Sequence, residues 1–164
     1  MIVVLRLGHR LGRDDRISTH CGLVSRALGA SSIIYSGEHD AKMVEGVKDV
    51  TARFGGPFSA GYEPSWRKVI NKYRKKKFCI VHLTVYGMPL QKQARKIKSK
   101  KNVLIVIGSE KVPGEVYQLA DYNISVTSQP HSEIASLAIF LYEYTGRKLD
   151  HKFKKSRIKI VPQE

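Results

Sequence analysis

The fold class this sequence predicts is an α/β domain: a mainly parallel sheet with helices on both faces. Three observations predict it. Short β-branched runs alternate with longer segments of helical period along all 164 residues. Several of the short runs are apolar at consecutive positions, as strands covered on both faces require. No linker, repeat or low-complexity block divides the chain, so residues 1–164 read as one domain.

In chain order, strands are predicted over 2–7, 32–35, 78–83, 103–107 and 122–126. Helices are predicted over 18–28, 40–54, 64–76, 89–98, 113–119 and 131–144. Asp40 is placed to cap one helix, and Gly55 and Gly56 to end it in a left-handed turn. Pro64 and Pro89 stand where a first-turn proline is tolerated. In the last helix Ile134, Leu137, Ala138, Leu141 and Tyr142 recur at three and four, giving an apolar stripe. The basic end from His151 to Lys159 reads as a final strand or an arm.

Twenty-nine Lys and Arg against 14 Asp and Glu give a net charge of +15. A surface so one-sided favours a polyanion, through phosphate contacts and counterion release. Cys21 and Cys79 lie in apolar stretches, with no CxxC pair or Cys/His cluster, so no metal is expected. Two such thiols suit a reducing cytoplasm. The apolar start, Met1 to Leu7, is too short for a signal-peptide core. No run approaches the roughly 18 apolar residues that span a bilayer, so no membrane partner is expected.

Ligands on open α/β sheets bind beyond the carboxyl ends of the strands. Three such ends are unusual here: 83–87, 108–114 and 125–132, where glycine and small residues let backbone approach a ligand. The P-loop, the GxGxxG fingerprint, HExxH and GxSxG are all absent. Taken alone, the residues describe a basic α/β domain with a ligand site near Gly108, or ordinary turns in those places.

Several stretches carry a resemblance. Val103-Leu-Ile-Val-Ile-Gly-Ser-Glu-Lys-Val-Pro-Gly-Glu115 resembles the SpoU/TrmH motif of apolar strand, Gly, small residue, Glu and a later Gly. Asp121 to Val126 resembles that family's next strand, and His131 to Glu143 its closing helix. Upstream, the run from His20 through Gly22 and Arg26 to Ala30 resembles the family's Asn-x-Gly-x-x-x-Arg motif. More narrowly, Leu5-Arg-Leu-Gly-His-Arg-Leu-Gly-Arg-Asp-Asp-Arg-Ile-Ser-Thr-His20 and His82-Leu-Thr-Val-Tyr-Gly87 resemble the archaeal tRNA (cytidine-56) 2′-O-methyltransferases. Two departures from the general pattern stand near the expected site. His20 replaces Asn, and Pro130-His-Ser-Glu133 replaces Ser-Leu-Asn-Val.

The resemblance implies a SPOUT fold with a deep C-terminal trefoil knot, an obligate homodimer, and S-adenosyl-L-methionine as methyl donor to a tRNA ribose. It places the cofactor against Leu83, then Gly108, Ser109, Glu110, Lys111 and Val112, then Val126, Thr127, Ser128, Gln129, Pro130, His131 and Ser132. It makes Arg26 the leading catalytic residue. Arginine, with a pKa above about 12, is a poor free base, so a grip on substrate phosphate that orients the 2′-OH is the favoured role. His20 is the alternative base, since histidine ordinarily titrates near about 6.5. Arg10, Arg13 and Arg16 are expected phosphate contacts, and the basic stretch 67–77, with Trp66 and Tyr73, is a second RNA-facing candidate. The apolar face of the last helix, including Leu137 and Leu141, is the candidate dimer contact. Other readings stay open: another tRNA or rRNA ribose, a catalytically silent RNA-binding module, or a small-molecule enzyme, which the charge disfavours.

Overall fold

The computed structural model describes residues 1–108 and 111–163. Six strands are β1 (Ile2–His9), β2 (Ser32–Gly37), β3 (Ser59–Tyr62), β4 (Cys79–Pro89), β5 (Val103–Gly108) and β6 (Tyr122–Ser125). Six helices are α1 (Asp15–Ala27), α2 (Ala41–Phe54), α3 (Trp66–Lys75), α4 (Leu90–Lys98), α5 (Gly114–Leu119) and α6 (Glu133–Tyr144). The strands form one sheet, ordered β3-β2-β1-β5-β4-β6, and every pairing is parallel.

The consecutive apolar residues of β1 and β5 serve two cores at once. Val4, Ile105 and Ile107 pack with Cys21 of α1, Val47 of α2, Ile97 of α4 and Phe140 of α6. Val3, Leu5, Leu104 and Val106 turn the other way, onto Ile70 of α3 and Val116 of α5. The expected start of α2 holds: Asp40 Oδ1 accepts from Met43 N at 2.9 Å. Its expected stop holds as well, because Gly55 takes φ 81°. Ser65 and Ser132 cap α3 and α6 in the same way.

Two expectations need correction. β3 was not foreseen, for Ser59-Ala-Gly-Tyr62 has no β-branched residue and lies at the sheet edge. Leu137 and Leu141 are fully buried in the chain's own core, where α6 packs on β4, β5 and α1, so neither is offered to a partner. The basic end is an arm with no regular structure. It crosses the ends of α1 and α2, where Lys154 O accepts from Gly56 N at 3.0 Å and Arg157 N donates to Arg53 O at 2.8 Å.

Candidate active site

The topology opens a crevice where theory expects one. After β1 the chain turns onto the α1 face; after β5, the adjacent strand, it turns onto the α5 face. Loops leaving parallel neighbours in opposite directions part above their carboxyl ends. A cleft of about 490 Å³ fills this gap. Its third wall comes from β4. Leu83 and Met88 both pair with Ile124, so residues 84–87 swing out of the ladder. Thr84, Val85 and Tyr86 thereby line the cleft. Gly87 permits the return, since a Cβ there would lie 2.4 Å from the Ile124 backbone.

Beneath the cleft lies a buried charge network. Arg6 is a strand residue with no exposure. It donates to Glu133 Oε1 at 2.8 Å and Leu7 O at 2.9 Å, with Asp14 Oδ2 at 3.7 Å. Asp14 in turn accepts from Arg10 Nε at 2.9 Å. That hydrogen bond, with the charges of Arg6 and Arg10, outweighs burial and holds the Asp14 carboxyl below its ordinary range. Glu133 behaves oppositely: burial outweighs the attraction of Arg6 and raises its carboxyl. Its Oε2 is buried with no hydrogen-bond partner among the described residues, at the cleft end of α6.

His82 is the second buried acceptor. Asn123 Nδ2 donates to Tyr117 O at 3.0 Å, which orients the amide. Asn123 Oδ1 therefore accepts from His82 Nδ1, 2.9 Å away, and the proton sits on Nδ1. His82 Nε2 is left as an acceptor, buried and without a partner among the described residues. Burial pushes this imidazole below its ordinary range, so it is neutral at neutral pH. Tyr117 packs edge-on against the ring, with centroids 4.6 Å apart, and its hydroxyl meets Thr84 Oγ1 at 2.9 Å.

Of the residues expected to hold a cofactor, Leu83, Gly108, Val112, His131 and Ser132 come together on the cleft. Ser109 and Glu110 lie outside the described residues. Lys111, Thr127, Ser128, Gln129 and Pro130 are exposed and off the cleft, while Val126 packs at the edge of the core. Arg10 and Arg13 stand on the cleft itself; Arg16 is exposed beside it.

The two catalytic candidates on α1 are not at the cleft. The cleft reaches α1 at Ile17. Arg26 is nine residues further, about 14 Å along the helix axis. It is buried, donates from Nη2 to Gly55 O at 2.7 Å, and lies 4.3 Å over the ring of Phe153 in the arm. Burial lowers its pKa from the ordinary arginine value. His20 faces solvent one turn past Ile17. Gly22, between them, is a packing residue, as a Cβ there would sit 2.4 Å from Tyr35 Oη. His82, Thr84, Tyr117, Glu133 and Ser136 are cleft residues that sequence reasoning did not single out.

A family model described as tRNA ribose 2′-O-methyltransferase, aTrm56, matches residues 54–164. The tRNA (cytidine(56)-2′-O)-methyltransferase of Methanothermobacter thermautotrophicus is 50% identical over 164 residues, covering 99% of this chain and 92% of its own. That of Thermococcus kodakarensis is 50% identical over 169 residues, covering 100% and 93%. Among solved structures, the A. aeolicus TrmH/SpoU tRNA modifying enzyme superposes with a TM-score of 0.66 at 16% identity, over 89% of this chain and 74% of that one. The SpoU methyltransferase AviRb of Streptomyces viridochromogenes, in complex with AdoMet, gives 0.63 at 18% identity, over 88% and 56%.

Proposed function

The chain belongs to the tRNA ribose 2′-O-methyltransferase family, and on that premise we propose that it transfers a methyl group from S-adenosylmethionine to the 2′-OH of cytidine 56 in tRNA. The observation that carries this reading is the cleft at the carboxyl ends of β1, β5 and β4, built from the very stretches that resemble the family. The cleft also fits the donor chemically. Two buried acceptors at its wall, His82 Nε2 and Glu133 Oε2, have no partner among the described residues. A cofactor rich in N–H groups and carrying a cationic sulfur suits both. When bound, S-adenosylmethionine supplies a methyl group activated by its sulfonium.

The protein's share of the reaction is placement and proton removal. Arg10 and Arg13 at the rim, with Arg16 beside them, would hold the substrate's phosphates. Since Arg26 and His20 lie beyond the cleft of their own subunit, their roles belong to a partner's cleft. Support for a homodimer comes from exposed apolar side chains: Ile17 and Tyr86 on the cleft, Met88 on β4 and Ile139 on α6. Ile139, rather than Leu137 or Leu141, is the α6 residue available for that contact. The trefoil threading of residues after β5 is part of the same reading. So is action outside any membrane; among the described residues no helix is long and apolar enough to cross one.

Two outcomes check these assignments. Light scattering at micromolar concentration is expected to give twice 18.5 kDa, and a fully active monomer would remove the trans roles of Arg26 and His20. In RNA binding, Arg13→Ala and Arg16→Ala are each expected to shallow the log–log salt dependence by roughly 0.7–0.9, whatever the tRNA sequence. Arg10→Ala also strips Asp14 of its 2.9 Å partner. An unchanged slope for Arg13→Ala and Arg16→Ala would assign both residues to the fold alone.

A further inference from the structure

Away from the cleft, three elements bring an imidazole and two carboxylates together. His9 ends β1 and is 1% exposed. Its backbone is fixed: Glu38 N donates to His9 O at 2.8 Å, and a Cβ on Gly37 would lie 2.5 Å from His9 N and O. Its Nδ1 is 2.8 Å from Ser18 Oγ, which sets the ring plane. Nε2, buried and without a hydrogen-bond partner among the described residues, faces Asp40 Oδ2 at 3.7 Å and Asp15 Oδ1 at 4.0 Å. Both distances exceed a hydrogen bond, so neither carboxylate satisfies the nitrogen.

Each acid also accepts from a backbone N–H. Asp40 uses Oδ1 to cap α2, which leaves Oδ2 toward His9. Asp15 opens α1, and its Oδ1 accepts from Gly12 N at 3.0 Å. The three ligand atoms lie within 4.8 Å of one another. Metal–ligand bonds of about 2.1 Å at the tetrahedral angle separate ligands by about 3.4 Å. Closing the set takes about 0.3 Å between His9 and Asp40, about 0.6 Å between His9 and Asp15 and up to about 1.4 Å between the two carboxylates, which rotation of the exposed Asp15 side chain can supply.

We propose that His9, Asp15 and Asp40 form a divalent-cation site, with one nitrogen and two carboxylate ligands and solvent in the remaining positions. That donor set suits Mn²⁺ or Zn²⁺ better than Mg²⁺, which prefers oxygen alone. The ion ties the turn carrying Arg10 and Arg13 to the start of α2. It therefore acts on the rim of the cleft rather than on the methyl group. A search for Cys/His spacing passes over such a site, because its ligands come from three elements.

Calorimetry with MnCl₂ on untagged, chelator-treated full chain tests this. One Mn²⁺ per chain is expected, with a rise in melting temperature on binding. Asp40→Asn keeps a capping acceptor but gives up the charged oxygen, so it should fold and bind Mn²⁺ at least about tenfold more weakly. His9→Gln should do the same, and neither variant should gain melting temperature from the metal. Absence of saturable binding to the parent protein would overturn the site. Equal affinity in Asp40→Asn would overturn it too, by placing the ion elsewhere.

Discussion

Arg26→Lys is expected to lower single-turnover methylation of tRNA by about 10²-fold, the loss that follows when a reacting group is misplaced by about an ångström. S-adenosylmethionine affinity should not change, because the cleft is walled by other elements and meets α1 at its opposite end. The reasoning is geometric. A guanidinium can hold a phosphate through two parallel hydrogen bonds, whereas an ammonium is a point charge without that fork. Arg26 also braces the arm, through Gly55 O and the Phe153 ring. Lysine can still reach a carbonyl, so the fold should survive. Arg26→Ala cannot, and should cost about 1.5–3 kcal/mol of stability for the lost charged hydrogen bond. A pure brace would therefore show reduced melting temperature with parental turnover in Arg26→Lys. That outcome sinks the arginine-centred mechanism and moves attention to His20. His20→Ala would then be the crippled variant, and the lower limb of the pH–rate profile would disappear with it.

Gly108→Val should weaken S-adenosylmethionine binding about 5- to 150-fold while the sheet stays folded. A Cβ at Gly108 would lie 2.2 Å from Val112 Cγ2, so the valine cannot enter without displacing that side chain from the cleft wall. Such overpacking costs about 1–3 kcal/mol, and each 1.4 kcal/mol is a factor of ten. Strand pairing itself is untouched, since Gly108 is the last residue of β5 and pairs only at its end with Leu7. Calorimetric titration, with circular dichroism to confirm folding, decides it. Unchanged affinity would mean that the cofactor does not use this cleft.

How much of this was legible in the sequence depends on how local each signal is. β1 and β5 announce themselves because both faces are covered, so every residue from Val103 to Ile107 is apolar. The caps at Asp40 and Gly55 are written within a few residues of the elements they bound. The cleft's position also follows from strand ends and glycines. What could not be read is long-range. Arg6 interrupts an apolar strand, and its partner Glu133 lies 127 residues away. His82 reads as a strand residue until Asn123 and Tyr117 arrive to fix its tautomer. Leu137 and Leu141 looked like a stripe for a partner because periodicity marks a buried face without saying what buries it. The 125–132 loop was assigned wholesale, whereas only its last residues reach the cleft.

The central claim is the reaction and its target, and one measurement tests it most directly. Archaeal tRNA transcript incubated with the protein and methyl-labelled S-adenosylmethionine should acquire one label per molecule. Nuclease mapping should place it on the ribose of cytidine 56. A deoxycytidine at that position should abolish incorporation, because no 2′-OH remains to accept the methyl. Label at another nucleotide, label that survives the deoxycytidine, or none at all with cofactor bound, would contradict the account.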